Sequence, residues 1–211
     1  MDKGNLLKIA FALSIFTIVY NIIEGLVSVF FGLQDETLVL LGFGTDSFVE
    51  VISGFGIAHM VWRMQSSKVK RRDTFERQAL RITGVSFYIL TIGLVAGSII
   101  NIIEKIKPET TIVGIIVSSI SIVTMYYLMR YKLKVGRKLS SDAIIADANC
   151  TKTCLYLSTI LLVSSGLFEI FRIGYLDILG SLGIAFFAFR EGKEAFEKAK
   201  SETLACSCNT H

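Results

Sequence analysis

The stretch LVLLGFGTDSFVEVISGFGIAHMVW, from Leu38 to Trp62, decides the fold. As a helix, this apolar block is long enough to cross a hydrocarbon core of about 30 Å, yet it holds two carboxylates, Asp46 and Glu50, near its middle. Similar blocks run over Ile9–Phe31, Ile82–Ile103, Thr111–Met129, Ala143–Phe168 and Ile173–Phe189, of which the last is short for a span and the fifth the most polar. Backbone groups in lipid must be satisfied internally, which leaves helices or closed barrels. Barrel strands alternate in hydropathy, and these blocks do not. The reading is an all-α membrane protein, a bundle of six transmembrane helices.

Composition agrees. Of the 211 residues, 52% are apolar, and Pro108 is the single proline. The apolar residues come in blocks, where a soluble domain spreads them in amphipathic patterns, so no room is left for a sizeable soluble domain. Residues 1–200 are read as one membrane domain and 201–211 as a short cytoplasmic tail with Cys206, Cys208 and His211. Met1–Lys8 leads into an apolar run too long for a cleavable signal, and that run is expected to stay as the first span. Cys150 and Cys154 fall inside an apolar block and the other two cysteines in the tail, which is not the pattern of a secreted disulfide framework.

Orientation follows from the 22 Lys and Arg residues. All but Lys105, Lys107, Arg172 and Lys152 fall before the first span or within Arg63–Arg81, Arg130–Lys138 and Arg190–Lys200. With six spans these segments lie on one side, and the positive-inside rule makes it the cytoplasm, with both termini there. Gly93-x-x-x-Gly97 and Gly180-x-x-Gly183 are small-residue faces of the kind that let membrane helices pack closely. No nucleotide loop, nucleophile–base constellation or nucleic-acid motif is visible, so neither an enzyme nor a nucleic-acid binder is expected.

Ionisable side chains at membrane depth cost about 2.5–3.5 kcal/mol on insertion scales and mark function by default. The deep ones are Glu24, Asp46, Glu50, Asp147 and Lys152, with Cys150 and Cys154 as thiols. Asp46 and Glu50 are four residues apart, as are Cys150 and Cys154, with Asp147 one turn earlier. Residues four apart share a helix face, about 6 Å along the axis and 40° around it. Two such helices face to face supply four donors around one point, the tetrahedral set zinc-like ions take, and thiolates favour softer ions over magnesium or calcium. Other readings stay open: the carboxylates could pair with Lys152 or cap polar neighbours, and buried cysteines could simply pack. Lys152 lies off the Cys150/Cys154 face and is expected to snorkel or pair with an acid.

At these residues the sequence resembles the transmembrane domain of the cation diffusion facilitator, or cation efflux, family, over about residues 8–200. That family's second helix typically reads Asp-x-x-x-Asp, and here stands Asp46-Ser-Phe-Val-Glu50. Its fifth reads Ala-Asp-x-x-His-x-x-x-Asp, and here stands Ala146-Asp147-Ala-Asn-Cys150-Thr-Lys-Thr-Cys154. The flanks Gly136-Arg-Lys-Leu-Ser-Ser-Asp-Ala143 and Tyr175-Leu-Asp177-Ile-Leu-Gly agree as well.

The resemblance implies a multi-pass protein of the cell membrane that exports zinc, or a similar ion, by proton antiport, with alternating access around one four-ligand site. Carried over by position, the ligands are Asp46, Glu50, Cys150 and Cys154. Glu24 and Asp147 stand behind them or on the access path, and Cys206, Cys208 and His211 are a candidate metal-capturing tail. The partners implied are a metal ion of the Zn2+ or Cd2+ type as substrate, protons and the lipid bilayer, with no resident cofactor. Many members dimerise through a soluble C-terminal domain that this chain does not show, so a homodimer is an open expectation. The rival reading is a metal-binding membrane scaffold or regulatory subunit that does not transport.

Overall fold

A computed structural model describes residues 3–34, 37–64, 74–104, 111–139 and 142–200. For Asp147, Cys150 and some other positions on these helices only the backbone is described. Six helices follow one another: α1 (Lys3–Gln34), α2 (Leu38–Met64), α3 (Thr74–Glu104), α4 (Ile112–Leu139), α5 (Asp142–Phe171) and α6 (Tyr175–Lys200). There is no strand among the described residues.

Five of the helices, all but α6, are long and apolar enough to cross a membrane. In α6 the uncharged run from Ile178 to Phe189 is hemmed in by Asp177 on one side and the charged turns from Arg190 onward on the other. Such a run rises about 18 Å at 1.5 Å per residue, short of the hydrocarbon thickness.

The helices also outrun the apolar blocks. The stretch Arg130–Lys138, counted in the sequence as a cytoplasmic connection, continues α4 to Leu139. Hydropathy locates the lipid boundary, whereas a helix ends where its hydrogen bonds end.

Neighbouring contacts order the bundle as a ring, α1–α2–α3–α6–α5–α4 and back to α1, with α2 also touching α5 and α6 across it. Outward faces are large and apolar, as at Phe30, Ile89, Ile103 and Ile170, which suits a lipid surround. An aromatic belt of exposed Trp62 and Tyr131 lies toward the end where α2 finishes and α5 begins, the amphipathic rings that settle at a headgroup boundary, while Tyr127 and Tyr156 are exposed nearer the middle of α4 and α5. Lys152 is exposed there, with its ammonium 5.6 Å from the Tyr156 ring centroid.

Close approach rests also on glycines that the sequence did not single out. A Cβ at Gly32 would lie 2.6 Å from the Leu41 nitrogen, and one at Gly44 would lie 2.8 Å from the Val29 nitrogen, so α1 and α2 meet nearly backbone to backbone. Gly97 packs on Leu38 and Gly180 on Ser164 as expected, but nothing lies within 4 Å of a Cβ built at Gly93. That glycine borders a cavity of about 510 Å³ between α2 and α3, lined also by Leu41, Gly42, Thr45, Ile89 and Leu94.

At the opposite end of the bundle from the aromatic belt, two carboxylates cap helix N-termini. Asp177 accepts hydrogen bonds from the backbone N–H groups of Leu38 (3.0 Å) and Val39 (3.3 Å), which ties α6 to the first turn of α2. Glu169 accepts from the Thr111 backbone N–H at 2.7 Å and pairs with Arg172 at 2.7 Å, which ties α5 to the start of α4. Arg172 itself has φ 53° and its N–H donates to Phe168 O, closing α5 with a left-handed residue. Negative charge at a helix N-terminus meets the orphan N–H groups and the positive end of the helix dipole. Replacing Asp177 by Ala is therefore expected to cost about 1 kcal/mol, the usual loss for a capping side chain. A lowered thermal midpoint of the purified protein, with Asp177→Asn falling between the two, is the check.

Candidate metal-transport site

Four helices carry inward stripes with steps of three and four residues, the period of one helix face. On α1 the stripe is Ala10, Ser14, Thr17, Asn21, Glu24 and Ser28, and on α2 it is Val39, Phe43, Asp46 and Glu50. On α4 it is Ser118, Ser121, Met125, Leu128 and Lys132, and on α5 it is Thr151, Cys154, Ser158 and Leu161. All are buried except Glu50, which is half-buried. Polar and small residues thus share the interior with a few large apolar ones, while large apolar residues cover the outward faces. Without water, polar groups must turn to each other.

The acidic pair of α2 meets the thiol of α5. Cys154 Sγ donates to Glu50 Oε1 at 2.5 Å, and Asn21 Nδ2 of α1 holds Glu50 Oε2 at 3.0 Å. Asp46, 3% exposed, sits one turn before Glu50 on the same face, and its Oδ1 receives no hydrogen bond among the described residues. Asp46 lies within electrostatic reach of Glu50, Glu24 and Glu191. Leaving such a carboxylate oxygen buried and bare costs several kcal/mol or so unless a cation or proton meets it.

Of the residues predicted from the sequence, the structure thus brings Asp46, Glu50, Cys154 and Glu24 into one interior. The helix carries Cys150 one turn before Cys154, but its side chain, that of Asp147, and the tail residues Cys206, Cys208 and His211 lie outside the described residues. Among the described residues no three His, Cys, Asp or Glu side chains stand close enough together to hold one ion as they are placed. The thiol and carboxylate instead satisfy each other.

The cation efflux transmembrane domain matches residues 10–202. This chain belongs to the cation efflux family. A relative from Methanocaldococcus jannaschii described as an uncharacterized transporter is 27% identical over 177 residues. The match takes in 81% of this chain and 62% of that relative's length. With the family, five helices fit to span a bilayer make this a multi-pass membrane protein.

Three participants were not singled out in the sequence. Lys132, 1% exposed, lies in the electrostatic field of Glu50 and donates from Nζ to Thr151 Oγ1 at 3.1 Å. Its signal was present: continuing the stripe of Ser118, Ser121, Met125 and Leu128 by four residues reaches Lys132. Asn21 likewise continues the stripe of α1. Glu191 on α6 accepts from Thr153 Oγ1 at 3.1 Å and acts on both Asp46 and Glu50, although it falls in the segment Arg190–Lys200 that the sequence places in the cytoplasm.

Contact between Glu50 and Cys154 has a thermodynamic signature. Glu50→Gln and Cys154→Ser are expected to be non-additive in thermal stability, with a coupling energy of about 0.5–3 kcal/mol as for residues in contact. Additive losses would separate the two side chains.

Proposed function

We propose that this chain exports a soft divalent metal ion, zinc or cadmium in type, from the cytoplasm in exchange for protons. The ligands in this reading are Asp46, Glu50, Cys150 and Cys154, in a bundle of six spans with both termini cytoplasmic. The observation that carries it is the meeting of the α2 carboxylate and the α5 thiol in a buried interior, with Asp46 one turn away on the same face. Cys150 belongs to the set by its helical spacing from Cys154. Membership in the cation efflux family supports the direction and class of transport.

The chemistry follows from the donor set. Two thiols and two carboxylates suit ions that take sulfur and oxygen in tetrahedral geometry, and they disfavour magnesium and calcium. Cys154 donates its proton to Glu50 in the structure. To bind an ion, thiol and carboxylate exchange that hydrogen bond for bonds to the metal, and the proton leaves. Binding therefore releases protons and tightens as pH rises. Loading at the cytoplasmic face, then emptying where protons return, couples inward proton movement to outward metal movement. Glu191, near the cytoplasmic end, adds negative potential on that route, and Cys206, Cys208 and His211 are assigned to capture in the cytoplasm.

Purified protein in liposomes that hold a metal-sensitive dye and face a pH gradient tests the reading. Zinc or cadmium uptake is expected to depend on the gradient and to leave magnesium behind. Asp46→Asn and Cys154→Ser are expected to lower metal affinity by at least the about 10–100-fold that follows loss of a residue supporting a ligand. Binding without flux would identify a scaffold instead, and uptake unchanged in both variants would remove the ligand assignment. Lowering the pH is expected to weaken cadmium binding in detergent, and tighter binding at low pH would contradict proton release.

A further inference from the structure

Behind the ligands lies an acid that they do not use. Glu24 on α1 is 6% exposed, and its Oε1 receives no hydrogen bond among the described residues. Ser47 Oγ of α2 donates to its Oε2 at 3.1 Å, and the hydroxyls of Tyr20 on α1 and Ser121 on α4 stand beside the carboxyl. Ser158 Oγ of α5 lies 2.8 Å from Ser121 Oγ. A chain of hydroxyls therefore joins Glu24 to both ligand-bearing helices. Ser47 follows Asp46 directly, and Ser158 stands one turn beyond Cys154.

Two of these hydroxyls have a choice of acceptor. Ser47 Oγ is 3.2 Å from Phe43 O as well as 3.1 Å from Glu24 Oε2. Ser158 Oγ is 2.8 Å from Cys154 O as well as from Ser121 Oγ. A hydroxyl owns a single hydrogen, so each points either into the Glu24 chain or back to its own helix. A carboxylate draws such hydrogens more strongly than a neutral acid does.

We propose that Glu24 is a proton-carrying site separate from the metal ligands, and that the Ser47 and Ser121–Ser158 hydroxyls couple its charge to α2 and α5. This rests on the transport reading and gives one counter-ion a place. The titratable groups facing Glu24 are Tyr20 on α1, Asp46 and Glu50 on α2 and Cys154 on α5, while Ser121 is its neighbour from α4. Lys132 of α4 and Glu191 of α6 act on the neighbouring Glu50.

When a divalent ion arrives among Asp46, Glu50 and the thiols, its positive charge favours the ionised form of a nearby acid. Glu24 then gives up one proton, which is released to solvent, and becomes a carboxylate. On metal release one proton returns, and the site regains its starting charge. Each cycle thus moves one proton that no metal ligand carries.

Proton counting on the full-length purified protein decides this. Cadmium is added in weak buffer with a pH indicator, and protons released per ion bound are measured for the unaltered chain, Glu24→Gln, Glu24→Asp and Ser121→Ala. At saturating cadmium, Glu24→Gln is expected to release about one proton fewer per ion bound, and Glu24→Asp to restore the count. An equal count in Glu24→Gln overturns the proposal. Infrared titration without metal is the second arm: a protonated-carboxyl band that Ser121→Ala shifts and Glu24→Gln deletes is expected, and its persistence in Glu24→Gln overturns the proposal equally. Should the unaltered chain bind no cadmium, the transport reading falls, and the infrared arm still decides whether Glu24 carries a proton.

Discussion

Carboxylates placed at membrane depth cannot face lipid, and the rest of the bundle is arranged around that constraint. Asp46, Glu50 and Glu24 each sit on a helix whose opposite faces are branched and apolar, so each helix has one permitted rotation. Fixing that rotation on α1, α2, α4 and α5 brings four polar stripes together. Hydrophobic burial offers little preference between helices when the solvent is itself hydrocarbon. Close packing at Gly32 and Gly44, caps from Asp177 and Glu169, and interior hydrogen bonds take its place.

The division of labour around the ring follows from this. α3 and α6 meet through Ser98 and Ser181 at 2.9 Å and through Tyr88 stacked on Phe196. No carboxylate of α3 is part of the interior described. The other four helices hold most of the titratable groups, Glu191 of α6 joining them, and α2 is shared, touching α3 and α6 as well as α1 and α5. Asp177 of α6 grips the first turn of α2, which joins the α3–α6 pair to the helix that carries Asp46 and Glu50.

Much of this was legible in the chain, and for identifiable reasons. Apolar blocks set the helices, and the four-residue spacing of Asp46 with Glu50 and of Cys150 with Cys154 set the face on which they lie. Helix ends were not legible, because α4 continues past the last apolar residue through Lys132, a cation counted in the sequence as cytoplasmic. Glycine spacing on a single helix named Gly93, whereas close approach depends on what the partner helix brings, as Val29 and Leu41 do for Gly44 and Gly32. The roles of Asp177 and Glu169 were hidden as well, since a side chain that caps another helix across more than a hundred residues leaves no local pattern. Glu24 was noticed for its depth, but its hydroxyl neighbours come from three helices and no linear spacing relates them.

The central claim is that carboxylate and thiolate share one ion between α2 and α5. X-ray absorption at the zinc edge of the loaded, purified protein tests it most directly. The account requires sulfur scatterers at about 2.3 Å together with oxygen at about 2.0–2.2 Å, and loss of sulfur scattering in Cys154→Ser. A coordination shell of light atoms alone in the unaltered protein would contradict it.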